Sequence, residues 1–472
     1  MAAVVTVLTS LELLQRVTQF QEGWPRWVLQ QASEYGIRLR SSAQSGSFPK
    51  QAIKRRQLRV LQRLHQFVST DDMAQGIKCL SFRELLDFAA SEGWLEAVEW
   101  LHTVDAPCSA HAMNSAAAYG HLHVVRFLHD HRSEGCQYLA MDSAATNGHL
   151  PVVEFLHEHR AEGCTTQAMD GAAAAGHLDV VKFLHTQRSE GCTDAAMDGA
   201  ARFGHLAVVC FLHDYRTEGC TVKAMIHAAT NGHLDVVRFL HENRLEGCTA
   251  AAMIGAARGG YIDVVRFLDA NRSEGCGERA LDWAAEAGHL DVVRFLHENR
   301  TEGCTTVAMD QAAANNHMDI LRFLHDHRTE GCTTKAMDAA AANGHAEIVR
   351  FLHEQRTEGC TDAALANAVL NNHTDVVAFL VQHRSEGDVD HALVASATAG
   401  RVDLVELLRP RVSKQSHALA RALERAALKG HVAVVQLLAP QCSTSAIQAG
   451  IKAATKKRRS SVLLFLRTHI ST

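Results

Sequence analysis

From about residue 81 to the end, apolar and polar positions recur with a period of 28 residues. Each unit repeats nearly the same sequence, as in CTTVAMDQAAANNHMDILRFLHDHRTEG from Cys304 to Gly331. Ten cysteines keep strict register through the pattern: Cys108, Cys136, Cys164, Cys192, Cys220, Cys248, Cys276, Cys304, Cys332 and Cys360. With the Gly-His dipeptide or its replacement as a marker, there are fourteen units. Self-similarity at this period predicts a repeat protein.

The first half of each unit has the pattern of an amphipathic helix. With an advance of 100° per residue, one arc carries the apolar residues Ala308, Met309, Ala312 and Ala313. The opposite arc carries Val307, Gln311, Ala314 and Asn315. A Thr before the Ala-Met pair is a suitable N-cap, and the Gly of Gly-His is a suitable left-handed end. The pattern therefore predicts a short helix with one buried face.

The second half predicts another helix, such as HLDVVRFLHENR from His289 to Arg300. It is apolar around most of its circumference, and Asp291, Arg294 and Glu298 form a narrow polar stripe at spacings that let Arg294 pair with either acid. A period of 28 also falls in the range of leucine-rich repeats, but no unit shows the alternating L-x-x-L-x-L core that a strand requires. We expect an all-α solenoid of stacked helix-turn-helix units, because one such unit cannot bury its apolar surface alone.

The pattern A-M-D-x-A-A-x-x-G-H-L-D-V-V-R-F-L resembles the ankyrin repeat, T-P-L-H-x-A-A-x-x-G-H-x-x-I-V-x-x-L-L, over about four fifths of the chain. The units are shorter than the family's 33 residues. The missing residues lie where the family has its projecting β-hairpin, so the resemblance implies a short turn built on Glu-Gly-Cys. The family's His in T-P-L-H is replaced by Asp, so its inter-repeat hydrogen bond must be replaced or lost. These acids are Asp142, Asp170, Asp198, Asp282, Asp310 and Asp338.

Residues 1–78 differ from the repeats and form a predicted N-terminal segment, followed by the solenoid at 79–472. The segment carries 11 Lys and Arg against 5 Asp and Glu, whereas the remainder carries 36 against 47. LTSLELLQRVTQFQ and KRRQLRVLQRLHQF are predicted helices. The opening, with Leu11, Leu13, Leu14, Val17 and Phe20, faintly resembles an F-box start without its Leu-Pro. We expect a basic helical cap that shields the first repeat, and an F-box-like segment is the alternative.

Composition narrows the class of protein. Hydrophobic residues make up 47% and charged residues 21%, and the net charge is -5. These values exclude a disordered chain and a globally basic nucleic-acid binder. No apolar run approaches the roughly 18 residues that cross a bilayer, and the apolar opening lacks the basic start of a secretory signal. We therefore predict a cytoplasmic protein. The run Lys456, Lys457, Arg458 and Arg459 is either a nuclear-import signal or a solvated cap.

The cysteine column predicts buried thiols. Neighbouring copies of a stacked unit lie about 10 Å apart, which is too far for a disulfide, and no C-x-x-C begins a metal site. We expect small thiols that fill the turn between repeats in a reducing compartment. Cys210 is the exception, because it replaces an outward Arg or Lys of the second helix. It is a candidate for an exposed reactive thiol.

Histidine and arginine also form columns. One histidine follows the glycine, as His317 does, and another lies eight residues later, as His325 does. Histidines of one unit are about 12 Å apart along a helix, so they cannot share a metal, and we expect structural hydrogen bonds. The arginine column runs from Arg132 to Arg384, with a Glu two residues after each member. We expect ion pairs between repeats rather than a phosphate-binding stripe.

No motif supports catalysis. The chain lacks a Walker loop, G-x-S-x-G and H-E-x-x-H. Histidines and aspartates that recur in many copies indicate stacking, whereas an active site needs unique groups in one pocket. We therefore predict a protein that is not an enzyme, with no cofactor, metal or small-molecule substrate.

The positions that vary between copies predict the binding surface. Most of them form the non-core arc of the first helix, which in the ankyrin family contributes to the concave partner-binding face. Most units carry small residues there, whereas the middle units carry large ones, with Trp283, Arg258 and Arg279 as the predicted anchor. The candidate residues are Arg202, Phe203, Lys223, His227, Arg258, Arg279, Trp283 and Glu286. The alternative for Trp283 is packing between neighbouring helices.

The resemblance thus implies a monomeric scaffold that binds protein partners, with no membrane contact and with nucleic acid disfavoured. The alternative is a ubiquitin-ligase adaptor that recruits its ligase core through the F-box-like start. A third hypothesis, nucleic-acid binding through the basic N-terminal segment, predicts heparin retention that falls steeply with salt.

Overall fold

A computed structural model describes residues 20–21, 24–25, 30, 34, 47–70, 84–412 and 417–471. The chain divides into two units, Met1–Ala224 and Met225–Thr472, and each is described by itself. Before the repeats, the first unit contains a two-residue antiparallel ladder, β1 Phe20–Gln21 with β2 Trp24–Pro25, and the helices α1 Ser47–Lys54 and α2 Leu58–Thr70.

Helix pairs follow at each predicted repeat. In the first unit they are α3 Leu85–Ser91 with α4 Leu95–Thr103, α5 Ala110–Ala118 with α6 Leu122–His131, α7 Tyr138–Thr146 with α8 Leu150–His159, α9 Thr166–Ala175 with α10 Leu178–Gln187, and α11 Asp194–Arg202 with α12 Leu206–Tyr215. The division between the units falls within the next helix, α13 Val222–Thr230.

The second unit continues the same order. Its remaining helices are α14 Leu234–Asn243, α15 Ala250–Arg258, α16 Ile262–Asn271, α17 Arg279–Ala287, α18 Leu290–Asn299, α19 Thr306–Ala314, α20 Met318–His327, α21 Thr334–Ala342, α22 Ala346–Gln355, α23 Asp362–Leu370, α24 Thr374–His383, α25 Val389–Ala399, α26 Val402–Leu408, α27 Ala418–Lys429, α28 Val432–Leu438, α29 Thr444–Lys456 and α30 Ser460–Ser471. Short 3₁₀ turns follow α26 and α28, at Arg409–Arg411 and Ala439–Gln441. The described residues therefore contain fourteen helix pairs, and the all-α solenoid prediction is confirmed.

The predicted caps fix the helix boundaries. Thr305 is extended before α19, and its hydroxyl accepts a hydrogen bond from the Val307 N–H. Gly288 ends α17 in the left-handed conformation, with φ of 87°. A Cβ there would also lie 2.5 Å from a ring atom of His317 in the next repeat, so the position needs glycine for two reasons. Only a short turn connects Asn299 to Thr306. This short connection is expected from the length of the units, which are shorter than the 33-residue ankyrin repeat.

Within each unit, first helices pack against neighbouring first helices, and second helices pack against neighbouring second helices. In α19 the predicted core residues Ala308, Met309, Ala312 and Ala313 are at most 1% exposed. The small alanines allow close approach, while Val and Leu of the second helices fill the other half of the core. Burial therefore depends on the neighbouring repeat, as in other solenoids.

An Asp-Thr hydrogen-bond pair joins successive turns and replaces the family's histidine contact. The Asp310 carboxylate accepts from the Thr333 N–H at 2.7 Å and from its hydroxyl at 2.7 Å. The same hydroxyl accepts from the Lys335 N–H and so caps the next helix. Equivalent pairs are Asp142–Thr165, Asp170–Thr193, Asp198–Thr221, Asp282–Thr305 and Asp338–Thr361. We call this series the Asp-Thr ladder.

The arginine column pairs mainly within a turn, so the prediction of ion pairs between repeats holds at Arg300 and is wrong at members such as Arg328 and Arg356. Arg300 Nη2 lies 2.6 Å from Glu302 Oε1, because the turn brings a side chain two residues later back beside the guanidinium. The repeats are linked instead by a hydrogen bond, since Glu302 also accepts from the Cys276 N–H at 3.4 Å. Arg300 also forms an ion pair with Asp269 of the preceding repeat, at 3.2 Å.

The two histidine columns differ. The first is hydrogen-bonded as predicted: His317 Nε2 donates to the Glu286 carbonyl at 3.2 Å, and His345 to the Ala314 carbonyl at 3.0 Å. In the second column, rings meet phenylalanine edge-on, as His325 meets Phe351 with centroids 5.5 Å apart. The buried Nδ1 of His325 has no hydrogen-bond partner among the described residues. The hydrogen-bond prediction therefore fails at His325, whereas the Nδ1 atoms of His157, His297 and His353 in the same column lie 3.5 Å from an arginine Nη1 of the next repeat.

The polar stripe of the second helices also differs from expectation. Arg294 makes no ion pair with Asp291 or Glu298 in the described structure. Its guanidinium lies 5.7 Å from the centre of the Phe323 ring in the next repeat. The same cation–π contact repeats at Arg238, Arg266 and Arg322. The side chain therefore packs across repeats rather than along its own helix.

The basic helices before the repeats contact the first repeat. Lys50 pairs with Glu84 at 3.0 Å and lies over the Phe88 ring, and His65 meets Trp100 edge-on. These contacts are consistent with the proposed cap. The F-box-like residues 11–19 and the proposed boundary at residue 78 lie outside the described residues.

Replacing Asp310 by Ala should lower stability by about 1 to 3 kcal/mol, because the Thr333 N–H and hydroxyl lose their acceptor. The comparison is Asp326→Ala, which removes an exposed acid from α20 of the same repeat. Urea unfolding followed by circular dichroism measures both. Equal midpoints for the two variants would show that the ladder does not contribute.

Glu302 should make stability depend on pH. Its hydrogen bond from Arg300 lowers the pKa of the carboxyl from 4.5 to about 2. A lowered pKa contributes stability that is present above pH 4.5 and is lost as the pH falls toward 2. At pH 7 the free energy of unfolding of the wild type should exceed that of Glu302→Gln by on the order of 1 kcal/mol. This difference in stability should vanish near pH 2. Glu298→Gln, at an exposed position of α18, should show no such dependence in urea titrations.

Candidate protein-binding surface

The first-helix face is the exposed side of the first helices, opposite their buried Ala and Met residues. In α19 it comprises the predicted arc, and Val307 and Asn315 are exposed while Gln311 and Ala314 are half-buried. Side chains on this face lie outside the buried Ala and Met core, and they vary between repeats. A bulky side chain here therefore stands out against the small residues of most repeats.

The structure places the eight predicted residues in two groups. Arg202, Phe203 and Lys223 belong to the first unit, and the other five belong to the second. In the first unit Phe203 is 55% exposed just after α11, and the Arg202 guanidinium lies 5.4 Å from its ring centre. Lys223 is exposed in the first turn of α13. These three are accessible at the ends of their helices.

In the second unit the structure brings Arg258 and Trp283 together. The Arg258 guanidinium, at the end of α15, lies 5.1 Å from the Trp283 ring centre in α17, within cation–π range. Arg279 is exposed one turn before Trp283 on the same helix, and Glu286 is half-buried three residues after it. His227 is half-buried in α13. Of the three predicted anchor residues, Arg258 and the half-buried Trp283 are therefore in contact, which we call the Arg258–Trp283 cluster, and Arg279 lies on the same helix as Trp283.

A shallow groove of about 370 Å³ adjoins the cluster on α19, α21 and α23. Trp283, Gln311 and Ala339 hold equivalent positions 28 residues apart, so the side chain shrinks from an indole to a methyl. The groove is lined by Val307, Asp310, Gln311, Ala314, Lys335, Asp338, Ala339, Ala342 and Asn367. The sequence analysis put Val307 and Gln311 on the correct arc but did not select them. The decrease in size along this register was the available signal.

Other bulky residues on the same face escaped the prediction. In the first unit Tyr119, which follows α5, is 64% exposed, and Tyr138, at the start of α7, is 49% exposed. Both occupy variable positions. The second helices also form cavities, such as one of about 560 Å³ lined by Arg294 and Phe295. That lining recurs from repeat to repeat, so it distinguishes no single site.

The Asp-Thr ladder is interrupted beside the Arg258–Trp283 cluster. Ile226 and Ile254 occupy two successive Asp positions, and isoleucine cannot accept the hydrogen bonds. Gly277 replaces the Thr that would face Ile254, and α17 starts without a side-chain cap. Tyr261 replaces the usual histidine, and its ring lies against Gly232. This pair of junctions is therefore built differently from those around it.

The described cysteines are free, and burial suppresses their reactivity. Cys304 and four other members of the column are buried, and the remaining members are half-buried. Burial raises the pKa of Cys304 to about 12 and also raises the pKa of Cys210. A raised pKa removes the thiolate that reacts, so the structure opposes an activated Cys210. Among the described residues, no group of three His, Cys, Asp or Glu side chains could hold a metal.

The fold and this surface define a class of protein: an all-α repeat solenoid whose individuality lies in the exposed residues of its first helices. Sequence comparison gives the family. Models described as ankyrin repeats (3 copies) match residues 86–170, 196–272, 281–361, 309–391 and 336–419, and one described as ankyrin repeats (many copies) matches 248–297. The chain belongs to the ankyrin repeat family, whose repeats are generally protein–protein interaction modules.

Further comparisons add little. No curated protein sequence matches the chain. Among solved structures, the crystal structure of the pentatricopeptide repeat protein PPR10 from maize is similar at 10% identity and a TM-score of 0.33, over 97% of this chain and 72% of that one. No helix in the described parts of the chain is long and apolar enough to cross a membrane.

Thiol labelling should show the effect of burial. At pH 7.5 the buried thiols of Cys192, Cys276, Cys304 and Cys332 should stay unmodified by iodoacetamide in the folded protein and become modified in guanidinium chloride, because their pKa values of about 11 to 12 leave almost no thiolate. Cys210 should label slowly as well. Peptide mapping by mass spectrometry identifies each site, and rapid selective labelling of Cys210 would contradict this reading.

Proposed function

We propose that the chain is a non-catalytic scaffold that binds a protein partner on the first-helix face of its second unit. The observation that carries the proposal is the Arg258–Trp283 contact at 5.1 Å, on a face where most repeats carry small residues. Trp and Arg are enriched among the residues that dominate binding energy in protein interfaces. Family membership supports the same general function.

The partner would use the cluster and the groove together. Trp283 supplies a large apolar area, and Arg258 and Arg279 add cations on two neighbouring helices. The adjoining groove has room for side chains above the small Ala339 and Ala342, with Lys335 and Asp338 among its lining residues. An apolar anchor beside polar lining resembles the usual division of an interface into core and rim. The partner therefore needs an apolar side chain for Trp283 and carboxylates for the arginines.

The ligase-adaptor alternative depends on residues that the structure does not describe, and no observation favours it over the scaffold. Nucleic-acid binding by the N-terminal segment has no support from the contacts of α1 and α2, because Lys50 is paired with Glu84. Location in the cytoplasm remains our proposal. An import role for Lys456–Arg459 is tested by whether a fluorescent fusion needs these residues to enter the nucleus.

Replacing Trp283 by Ala should weaken capture of the physiological partner at least about tenfold, because truncating an interface anchor costs about 2 kcal/mol or more. The measurement is affinity purification from the source cell with quantitative mass spectrometry, using wild-type and variant chains as bait. Tyr215→Ala, which removes a 61% exposed aromatic from α12, is the matched control.

Circular dichroism and thermal melting separate binding from packing. A Trp283→Ala chain that keeps its helicity but loses the partner supports the proposal. If that chain unfolds, Arg258→Gln with Arg279→Gln removes the exposed cations without opening the core. Unchanged capture by this double variant, together with unfolding of Trp283→Ala, would identify Trp283 as a packing residue.

A further inference from the structure

Charge is segregated strongly along the chain. Residues 407–472 hold 12 Lys and Arg against a single acid, Glu424, whereas residues 1–406 hold 35 against 51. The net charge of -5 therefore hides a basic end attached to an acidic remainder. The final two helix pairs, α27 with α28 and α29 with α30, together with the turn at 457–459, carry nine of these twelve cations.

The cations of α27 form a line. Ala422, Leu423, Ala426 and Ala427 are buried, and Arg421, Arg425 and Lys429 are exposed. These three residues are four apart, so they lie on one side of the helix at intervals of about 6 Å along its axis. Like charges at this spacing repel each other and destabilise a helix. The sequence thus keeps an arrangement that helix stability alone disfavours.

The next first helix extends the charge sideways. α29 packs against α27 and exposes Lys452 and Lys456, again four residues apart. Arg459 has a different role, because its side chain lies over Gly430 and its Nε donates to the Leu428 carbonyl at 3.4 Å. It occupies the place of the repeated histidine. We define the basic end surface as Arg421, Arg425, Lys429, Lys452 and Lys456.

The cations of this surface are not paired with acids of the chain in the part that the structure describes, and the nearby Glu424 forms no ion pair with them. In earlier repeats the turn arginine is paired with the Glu two residues later, as Arg356 is with Glu358. Among the described residues, no ion pair involves any of the five cations of the basic end surface. Their charge is therefore available to an external partner.

We propose that the basic end surface binds an acidic polypeptide segment, which makes it a second interaction surface distinct from the Trp283 cluster. The cations lie on two adjacent helices, so they present a patch that a short run of carboxylates can cover. Single-stranded nucleic acid is a poorer fit, because such binding combines a basic groove with aromatic side chains that stack on bases. Residues 407–472 contain one aromatic residue of the Phe, Trp and Tyr type, Phe465, and its ring is stacked on His469.

The acidic charge of residues 1–406 also favours a short acidic segment over a long polyanion as the ligand of the basic end surface. A long polyanion that passed beyond the last repeats would meet the excess of 51 acids over 35 cations in residues 1–406. A short acidic segment can stay on the basic end. Attraction of this kind depends on ionic strength, because exposed charges are screened over about 8 Å at physiological salt.

The test is fluorescence anisotropy of the full chain with a labelled oligoglutamate peptide at several salt concentrations. The variant R421Q/R425Q/K429Q should bind at least about tenfold more weakly than wild type and with a flatter salt dependence. Gln keeps the helix propensity of Arg and Lys, so α27 should remain folded. The control K182Q/R238Q/R322Q removes the same charge from exposed positions of second helices, outside the first-helix face, and should bind nearly as wild type.

Other outcomes would overturn the proposal. Equal weakening by the two triple variants would mean that only net charge matters. Tighter binding of single-stranded DNA than of oligoglutamate at equal salt would point to a nucleic-acid surface. If the first variant loses helicity, K452Q/K456Q provides the same comparison on α29. Trp283→Ala should leave oligoglutamate binding unchanged, which separates this proposal from the scaffold proposal.

Discussion

Mutual burial between neighbouring repeats is the constraint on which the rest of the structure depends. Ala308, Met309, Ala312 and Ala313 are almost wholly inaccessible only because the adjacent first helices cover them. A single pair of short helices has no interior of its own. The alanines are repeated because a larger side chain would separate the helices, and the glycines because the next histidine lies against them. Composition, period and helix length all follow from this stacking.

The same constraint decides where function can reside. Residues that pack the repeats together, cap the helices or pair within the turns have the same structural role from repeat to repeat. They therefore cannot distinguish one partner from another. The exposed positions of the first helices vary between repeats, and at these positions Trp283 lies beside Arg258. The last repeats differ in another way, because their turns lack the Arg-x-Glu pair and because, in the part of the chain that the structure describes, the five cations of the basic end surface form no ion pair. Individual character therefore appears at the edges of the repeated design.

Periodicity predicted what one repeat does and was less informative about contacts between repeats. The core arc, the Thr cap and the glycine end follow from the local pattern around Thr305 and Gly288, and all were confirmed. The partner of Arg328 was predicted wrongly, because it depends on how the turn folds back toward Glu330. The hydrogen bond expected for His325 was also wrong, because its ring meets a Phe ring that belongs to the next repeat.

The candidate site shows the same limit. The size and charge of Arg258, Arg279 and Trp283 could be read from the variable positions. The contact between Arg258 and Trp283 and the groove on α19, α21 and α23 could not be predicted from the sequence. Both depend on how side chains of neighbouring repeats are arranged in space. The sequence did contain the decrease from Trp283 to Ala339, which predicts where space opens.

The interrupted Asp-Thr ladder has a consequence for cooperativity. In a one-dimensional array, stability is the sum of each repeat and its junctions, and a weak junction separates blocks that can open independently. Ile226 and Ile254 place two such junctions in succession, next to the Arg258–Trp283 cluster. A partner gripping α15 and α17 together would supply the coupling that the missing hydrogen bonds do not. Binding would then increase the number of repeats that unfold together in one cooperative transition.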